Sequence, residues 1–285
     1  MKRESNFFKF VFTTPVIVYS ITLVLIPLLY ILFLSFCKSD SYGGILYDFN
    51  IDNYLTIFNF TYLKVFFKSF LIGISTTLLC ILIAYPFSLV LVTKSQKTQN
   101  IISKLIMVPF IANSLIRTYG WIVLLRKHGI INSFLMSFGL SDSPLNLMYN
   151  SFGIIIGMTY TLLPFMILPV YSSVLKMDKN LIEAGRDLGL SEFQIFRKII
   201  FPCTLSGVFN GSLMVFIPAI GYFFITDILG GGKIMIIGNL IKNRFLTSRN
   251  GPFGASLSIF LIIITFILVW IYKKTGGKLD DLGGM

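Results

Sequence analysis

Five stretches of the chain run without a single charged residue: Val11–Phe36, Ser69–Val92, Ser151–Leu175, Cys203–Thr226 and Pro252–Tyr272. Each reaches the roughly 20 apolar residues that a helix needs to cross a hydrocarbon core. A sixth stretch, Leu105–Leu125, is interrupted only by Arg117. The pattern predicts six membrane-crossing helices. Seven prolines, Pro15, Pro27, Pro86, Pro109, Pro164, Pro169 and Pro218, fall within these spans or at their edges. Each interior one removes a backbone bond and bends its helix. Lys2 and Arg3 precede the first run as in a signal peptide, but the run is far longer than a signal's apolar region and lacks a small-residue cleavage site. It reads as an uncleaved anchor.

One long connection between spans has a pattern of its own. In residues 176–202, Asp178 can cap a helix whose apolar positions Leu181, Ile182, Ala184, Gly185 and Leu188 follow helical spacing. Gly189 suits the left-handed position that ends such a helix. Ser191 with Gln194 is a capping box opening a second helix with an apolar face of Phe193, Phe196, Ile199 and Ile200. Pro202 marks the entry to the next span. Two helices around a glycine also describe a DNA-binding motif, but a connection held at both ends by membrane spans has no third helix with which to build one.

Composition agrees with a lipid solvent. Hydrophobic residues make up 55% of the 285 and charged residues 13%, against about 25% charged in soluble domains; mean hydropathy is +0.82. The net charge of +12 would suggest nucleic acid in a soluble chain. Here it follows the rule that cytoplasmic loops carry excess Lys and Arg. With the N-terminus inside, fourteen of the basic residues fall in cytoplasmic segments (among them Lys94, Lys97, Lys104, Lys176, Lys179, Arg186, Arg197 and Lys198) and nine outside. Both termini and the 176–202 elbow are thereby expected in the cytoplasm.

The elbow resembles the loop that permease subunits of ABC importers carry between late spans, patterned E-A-A, three residues, G, nine residues, I-x-L-P. Glu183, Ala184, Gly189, Ile199 and Pro202 stand at the matching positions, and the chain departs at Gly185 (Ala expected) and Phe201 (Leu expected). Gly185 weakens the first helix by about 0.5–1 kcal/mol relative to Ala. The segments Arg117–Leu135 and Asp227–Ser258 are similar to those of spermidine/putrescine permeases, and the likeness runs from about Phe66 to Tyr272. The resemblance implies an all-α integral membrane protein with six transmembrane helices, the permease fold of type I (MetI-like) ABC importers, in the bacterial inner membrane. It implies residues 1–65 as an anchor helix and extracytoplasmic loop, 66–273 as the transport core, and 274–285 as a cytoplasmic tail. It further implies a homologous second permease, two cytoplasmic ATP-binding subunits and an extracytoplasmic binding protein as partners, a polyamine as cargo, and Glu183, Ala184, Gly185, Gly189, Ile199 and Pro202 as the contact with the ATPase.

The chemistry-bearing residues fit a non-enzymatic role with no cofactor and no nucleic-acid partner. Gly232-Lys233 is followed by Ile234 where a phosphate-binding loop needs Ser or Thr, and Asp227 stands where its first Gly belongs, so ATP is left to another chain. Cys37, Cys80, Cys203 and His128 form no metal-ligating or nucleophilic set. Arg117, the one charge within a span, costs at least ~2.5–3.5 kcal/mol to insert; a fixed cation would repel a polycation, so it reads as structural or gating. Tyr119, Trp121, Tyr160, Tyr222, Phe223 and Phe224 could offer ring faces to an amine or could simply pack, and Asp40, Asp48, Asp52 and Asp142 read as solvated loop charge. Asp227 lies 24 residues beyond Cys203, about 36 Å along a straight helix. That puts it at an outer mouth with Tyr222, above the loosening Pro218 and Gly221, with Lys233 as a local partner. Rival readings are an importer permease for another small cation or amino-acid-like solute, and an ion-coupled carrier or channel. A carrier would want intramembrane carboxylates and inverted halves, and no carboxylate falls inside a span.

Overall fold

The computed structural model describes residues 13–40, 42–178 and 180–274. Lys2, Arg3, Lys9, Lys179, Lys278 and the 275–285 tail, used above for orientation and domain limits, lie outside the described residues. The chain is mostly helical and divides into two compact units, one built from the N-terminal part through Leu63 with Leu240–Ile264, the other from Lys64–Asn239 with the helix that continues from Thr265.

In the first unit, helix α1 (Thr13–Ser35) leads to a small antiparallel ladder, β1 (Lys38–Ser39) with β2 (Ile45–Leu46), and a short helix α2 (Asp52–Ile57). Leu34, Cys37 and Ala255 form its buried centre, with Ile31, Ile45 and Phe245 against them. Arg244 is held by aromatic rings: its guanidinium lies 5.6 Å from the Tyr62 centroid and 5.2 Å from that of Phe253, and it donates to the Tyr62 hydroxyl at 2.8 Å. Cation–π contact with two rings and one hydrogen bond hold this charge.

The second unit holds most of α3 (Phe60–Val92), then α4 (Gln96–Ile111), α5 (Ser114–Leu125), α6 (Ile130–Ser137), α7 (Ser151–Leu175), α8 (Asn180–Asp187), α9 (Glu192–Gly221), α10 (Phe223–Gly230), the start of α11 (Ile237–Leu246) and the end of α12 (Gly251–Lys274). Its core is a stripe of α7, Ile154, Met158, Leu162, Met166 and Val170, at the four-residue spacing that keeps one helix face. Against it lie Ile72, Cys80 and Ala84 of α3, Val208, Val215 and Ala219 of α9, and Ile225 and Leu229 of α10. Helices α7 and α9 approach at small residues, as membrane helices do where lipid supplies no hydrophobic drive. A Cβ on Gly207 would meet the Ser173 Cβ at 2.4 Å and the Pro169 carbonyl oxygen at 2.6 Å, and one on Gly211 the Met166 sulfur at 2.6 Å.

Among the described residues, five helices are long and apolar enough to cross a membrane, and the bent pair Gln96–Phe110 with Ser114–Ser137 makes up to six. Two expected spans change form. The stretch Leu105–Leu125 is not one straight helix: α4 and the segment after it meet at 90°. Ala112 turns extended (ψ 140°), and the Asn113 side chain accepts from the Leu115 amide at 2.8 Å, capping a new helix. An Asn at that point competes for the backbone and favours a cap over a helix interior. The expected span Cys203–Thr226 begins earlier, at Glu192, and stops at Gly221, because Tyr222 (φ −77°, ψ 62°) leaves the helical region. Two prolines are accommodated by a wider turn directly before them. The Phe201 amide reaches back five residues to the Phe196 carbonyl ahead of Pro202, and Ile26 to Ile21 ahead of Pro27. Such π turns relieve the clash of a proline ring with the preceding turn.

Candidate functional site

The elbow between α7 and α9 is built by local signals. Asp178 accepts from the Asn180 amide at 3.0 Å at the start of α8. At its end Gly189 adopts φ +73°. Its amide bonds the Arg186 carbonyl at 2.9 Å while the Leu190 amide reaches the Gly185 carbonyl at 3.1 Å, the paired bonds of a Schellman close. Ser191 and Gln194 exchange both bonds of a capping box, so the chain turns and restarts as helix within two residues. Gly185 is buried because α8 lies on the next helix there: a Cβ would come 2.7 Å from the Ile199 Cδ1. Ile195 is fully buried beneath it. Glu183 and Ala184 stay exposed, as does Pro202. Of the apolar face expected on α8, Gly185 is buried and Ile182 half-buried; Leu188 is 81% and Phe193 71% exposed, an apolar tip left uncovered among the described residues. Arg186 and Glu192 pair across the elbow at 3.0 Å. The hydrogen bond and charge of Glu192 raise the guanidinium's pKa further above its ordinary value.

A second feature forms where two helices break. The start of α5 and the end of α9 enclose a cleft of about 500 Å³, lined by Ser114, Leu115, Ile217, Pro218, Tyr222 and Phe223 among others. The Tyr222 hydroxyl lies 3.4 Å from the Ser114 Oγ. On α10, Asp227 stands one turn beyond Phe223 on the same helix face. The straight-helix count for Asp227 therefore fails, since the helix that it assumed ends at Gly221. The partner expected from sequence also changes. Asp227 accepts from the Asn239 side-chain amide at 2.6 Å, whereas Lys233 is exposed and makes no ion pair among the described residues. Asn239 is 3% exposed; it also donates to the Phe223 carbonyl at 3.1 Å and accepts from the Ile236 amide at 3.1 Å. The first turn of α11 thus sits directly on the break. Ser69 of α3 accepts its Ile237 amide at 2.8 Å, and a Cβ on Gly238 would fall 2.1 Å from the Gly221 carbonyl oxygen.

The other expected pathway residues and the expected gating residue fall in two places. Trp121 and Tyr160 meet edge to face, centroids 5.4 Å apart. Arg117 lies with its guanidinium carbon 5.1 Å from the Phe110 centroid, and its Nε is buried without an acceptor among the described residues. Sequence reasoning missed Asn113, Ser114 and Asn239. The first and last are Asn residues at helix starts, a signal available in principle.

A family model described as binding-protein-dependent transport system inner membrane component matches residues 5–277. The chain belongs to this family. It is thus a multi-pass inner-membrane transport component and not an enzyme. Among curated relatives, the spermidine/putrescine transport system permease protein PotB of Haemophilus influenzae is 39% identical over 280 residues, 98% of each chain. The protein of the same name in Escherichia coli is 40% identical over 257 residues, 90% of this chain and 94% of that one. Among solved structures, a bacterial alginate ABC transporter in complex with an alginate pentasaccharide-bound periplasmic protein matches with a TM-score of 0.75 at 12% identity, over 94% of this chain and 93% of that one. At that identity the likeness carries the fold alone, the type I importer permease fold.

Proposed function

We propose that this chain is the membrane-spanning subunit of an ATP-driven polyamine importer. The observation that carries the reading is identity near 40% along almost the whole chain to permeases named for spermidine and putrescine. The elbow supports a coupling role: its backbone is fixed by a glycine close and a capping box, while Leu188 and Phe193 project uncovered. A rigid lever with an apolar tip fits a cleft on a separate ATPase. Glu183, Ala184, Gly185, Gly189, Ile199 and Pro202 form that lever, which lies in the cytoplasm with both termini, following the distribution of Lys and Arg.

The cargo would pass the cleft at the broken helices. Tyr222 and Phe223 offer ring faces, Trp121 with Tyr160 a second aromatic pair, and Asp227 a carboxylate one turn beyond Phe223. Aromatic faces and a carboxylate together suit protonated amines, since each replaces part of the hydration that an ammonium gives up. Arg117 stays out of the cargo's way on Phe110 and acts as a structural or gating residue beside the α4–α5 break. Closure of two ATPases would draw this elbow and that of a second, homologous permease together and turn the helices from outward to inward access, after an extracytoplasmic binding protein delivers cargo. The test is competition. In liposomes holding the assembled transporter, labelled spermidine uptake should be displaced by putrescine and by no neutral or acidic solute; displacement by an amino acid instead of putrescine would overturn the cargo.

A further inference from the structure

Asp227 is held by a side chain from elsewhere in the sequence, and the way it is held reaches beyond one hydrogen bond. Asn239 makes hydrogen bonds in three directions, using both amide hydrogens and its oxygen. Its oxygen takes the Ile236 amide at 3.1 Å, which is the reach-back of a residue in the first turn of a helix to its own cap. One amide hydrogen goes to the Phe223 carbonyl at 3.1 Å, the other to the Asp227 carboxylate at 2.6 Å. A short bond to a charged acceptor is among the stronger kinds, and at 3% exposure little water competes for it. The amide fixes both ends of the first turn of α10: Phe223, which lines the cleft, and Asp227, on the same face one turn on. The base beneath is rigid, because Gly238 packs against the Gly221 backbone and Ser69 anchors the Ile237 amide. A capping role alone would need only the oxygen.

We propose that Asn239 is a positioning residue for cargo: through its amide it sets where the Asp227 carboxylate stands, one turn beyond the cleft-lining Phe223, and so sets affinity for an ammonium group there. The inference rests on the reading of Asp227 and Tyr222 as part of the cargo path. Asn239 touches no cargo itself; it acts through Asp227, so the two residues must behave as one unit. Asn239→Asp keeps the oxygen for the Ile236 amide and places a carboxylate where a donor had met Asp227. Asn239→Ala removes all three bonds.

The experiment measures labelled spermidine uptake against concentration in liposomes containing the complete transporter with Asn239→Asp, Asn239→Ala, Asp227→Ala or the double variant Asp227→Ala/Asn239→Ala. Transporter content is normalised by assembled ATPase. Asn239→Asp should raise the half-saturating concentration at least tenfold with the maximal rate within about twofold of the parent. In the Asp227→Ala background, Asn239→Ala should add less than twofold to the half-saturating concentration. A lower maximal rate at parental half-saturation for the Asn239 variants would show a structural role only and overturn the inference, as would additive effects in the double variant. An Asp227→Ala transporter with parental kinetics would remove the carboxylate from the path, a separate failure that falls on the underlying reading and takes the inference with it. An impaired Asp227→Ala beside parental Asn239→Asp and Asn239→Ala would overturn the positioning role alone.

Discussion

Replacing Gly189 by Ala isolates one physical quantity, the strain of a left-handed backbone at the elbow. At φ +73° no atom beyond the two flanking residues lies within 4 Å of where a Cβ would be, so the substitution brings no clash with the rest of the elbow. What remains is the conformational penalty, roughly 1–2 kcal/mol for an L-residue with a side chain. The loss falls on the bonds that close α8, of which the Leu190 amide to the Gly185 carbonyl at 3.1 Å is the outermost. A change of that size shifts the ratio of closed to frayed elbow about fivefold to thirtyfold. Amide hydrogen exchange at Leu190 reads this ratio directly, so protection should fall by the same factor in Gly189→Ala. Gly189→Asn should lose less, because Asn enters the left-handed region more readily. Gly185→Ala serves as the control. It gains about 0.5–1 kcal/mol of helix propensity, and its near contact is the rotatable end of Ile199, so protection should hold or rise. In the assembled transporter the same ranking should appear in spermidine moved per ATP hydrolysed. Parental protection in Gly189→Ala, or a loss in Gly189→Asn as large as in Gly189→Ala, would refute the reasoning.

Two further outcomes follow from geometry. Gly207→Ala sets a Cβ 2.6 Å from the Pro169 backbone oxygen, which cannot rotate away, so thermal denaturation in detergent should show destabilisation of about 1–3 kcal/mol. Unchanged stability would contradict the close α7–α9 packing. In a Cys203→Ala background, which removes the exposed native thiol, Ser191→Cys should react in intact cells only with membrane-permeant reagents and Ser141→Cys with impermeant ones. The reverse pattern would invert the orientation and detach the elbow from any cytoplasmic partner.

What could be read from the chain alone divides along the range of the forces involved. Spans are fixed by the length of hydrocarbon to be crossed, so Ser151–Leu175 is a helix of the same limits as its apolar run. The elbow was legible because glycine freedom and the Ser191–Gln194 exchange are local, each decided within a few residues. The helix breaks were not. Apolar sequence continues through Ala112 and through Tyr222, and hydropathy cannot separate a straight span from a bent one; only the cap at Asn113 and the backbone turn at Tyr222 do. The partner of Asp227 was hidden for another reason. Lys233 is nearer in sequence and opposite in charge, but α11 begins back beside Gly221 and brings Asn239 to the carboxylate. Cargo, too, is invisible in the fold, since one architecture hosts many functions.

The central claim is that this chain moves polyamine at the expense of ATP hydrolysed on another subunit. Its most direct test is spermidine efflux from liposomes carrying the complete transporter with the ATPases facing out, so that transport runs from the lumen, preloaded with binding-protein-bound spermidine, to the external medium. The account predicts efflux that starts on adding ATP with magnesium, stops when this chain is omitted, and is indifferent to collapsed proton and sodium gradients. Efflux driven by an ion gradient without ATP would contradict it.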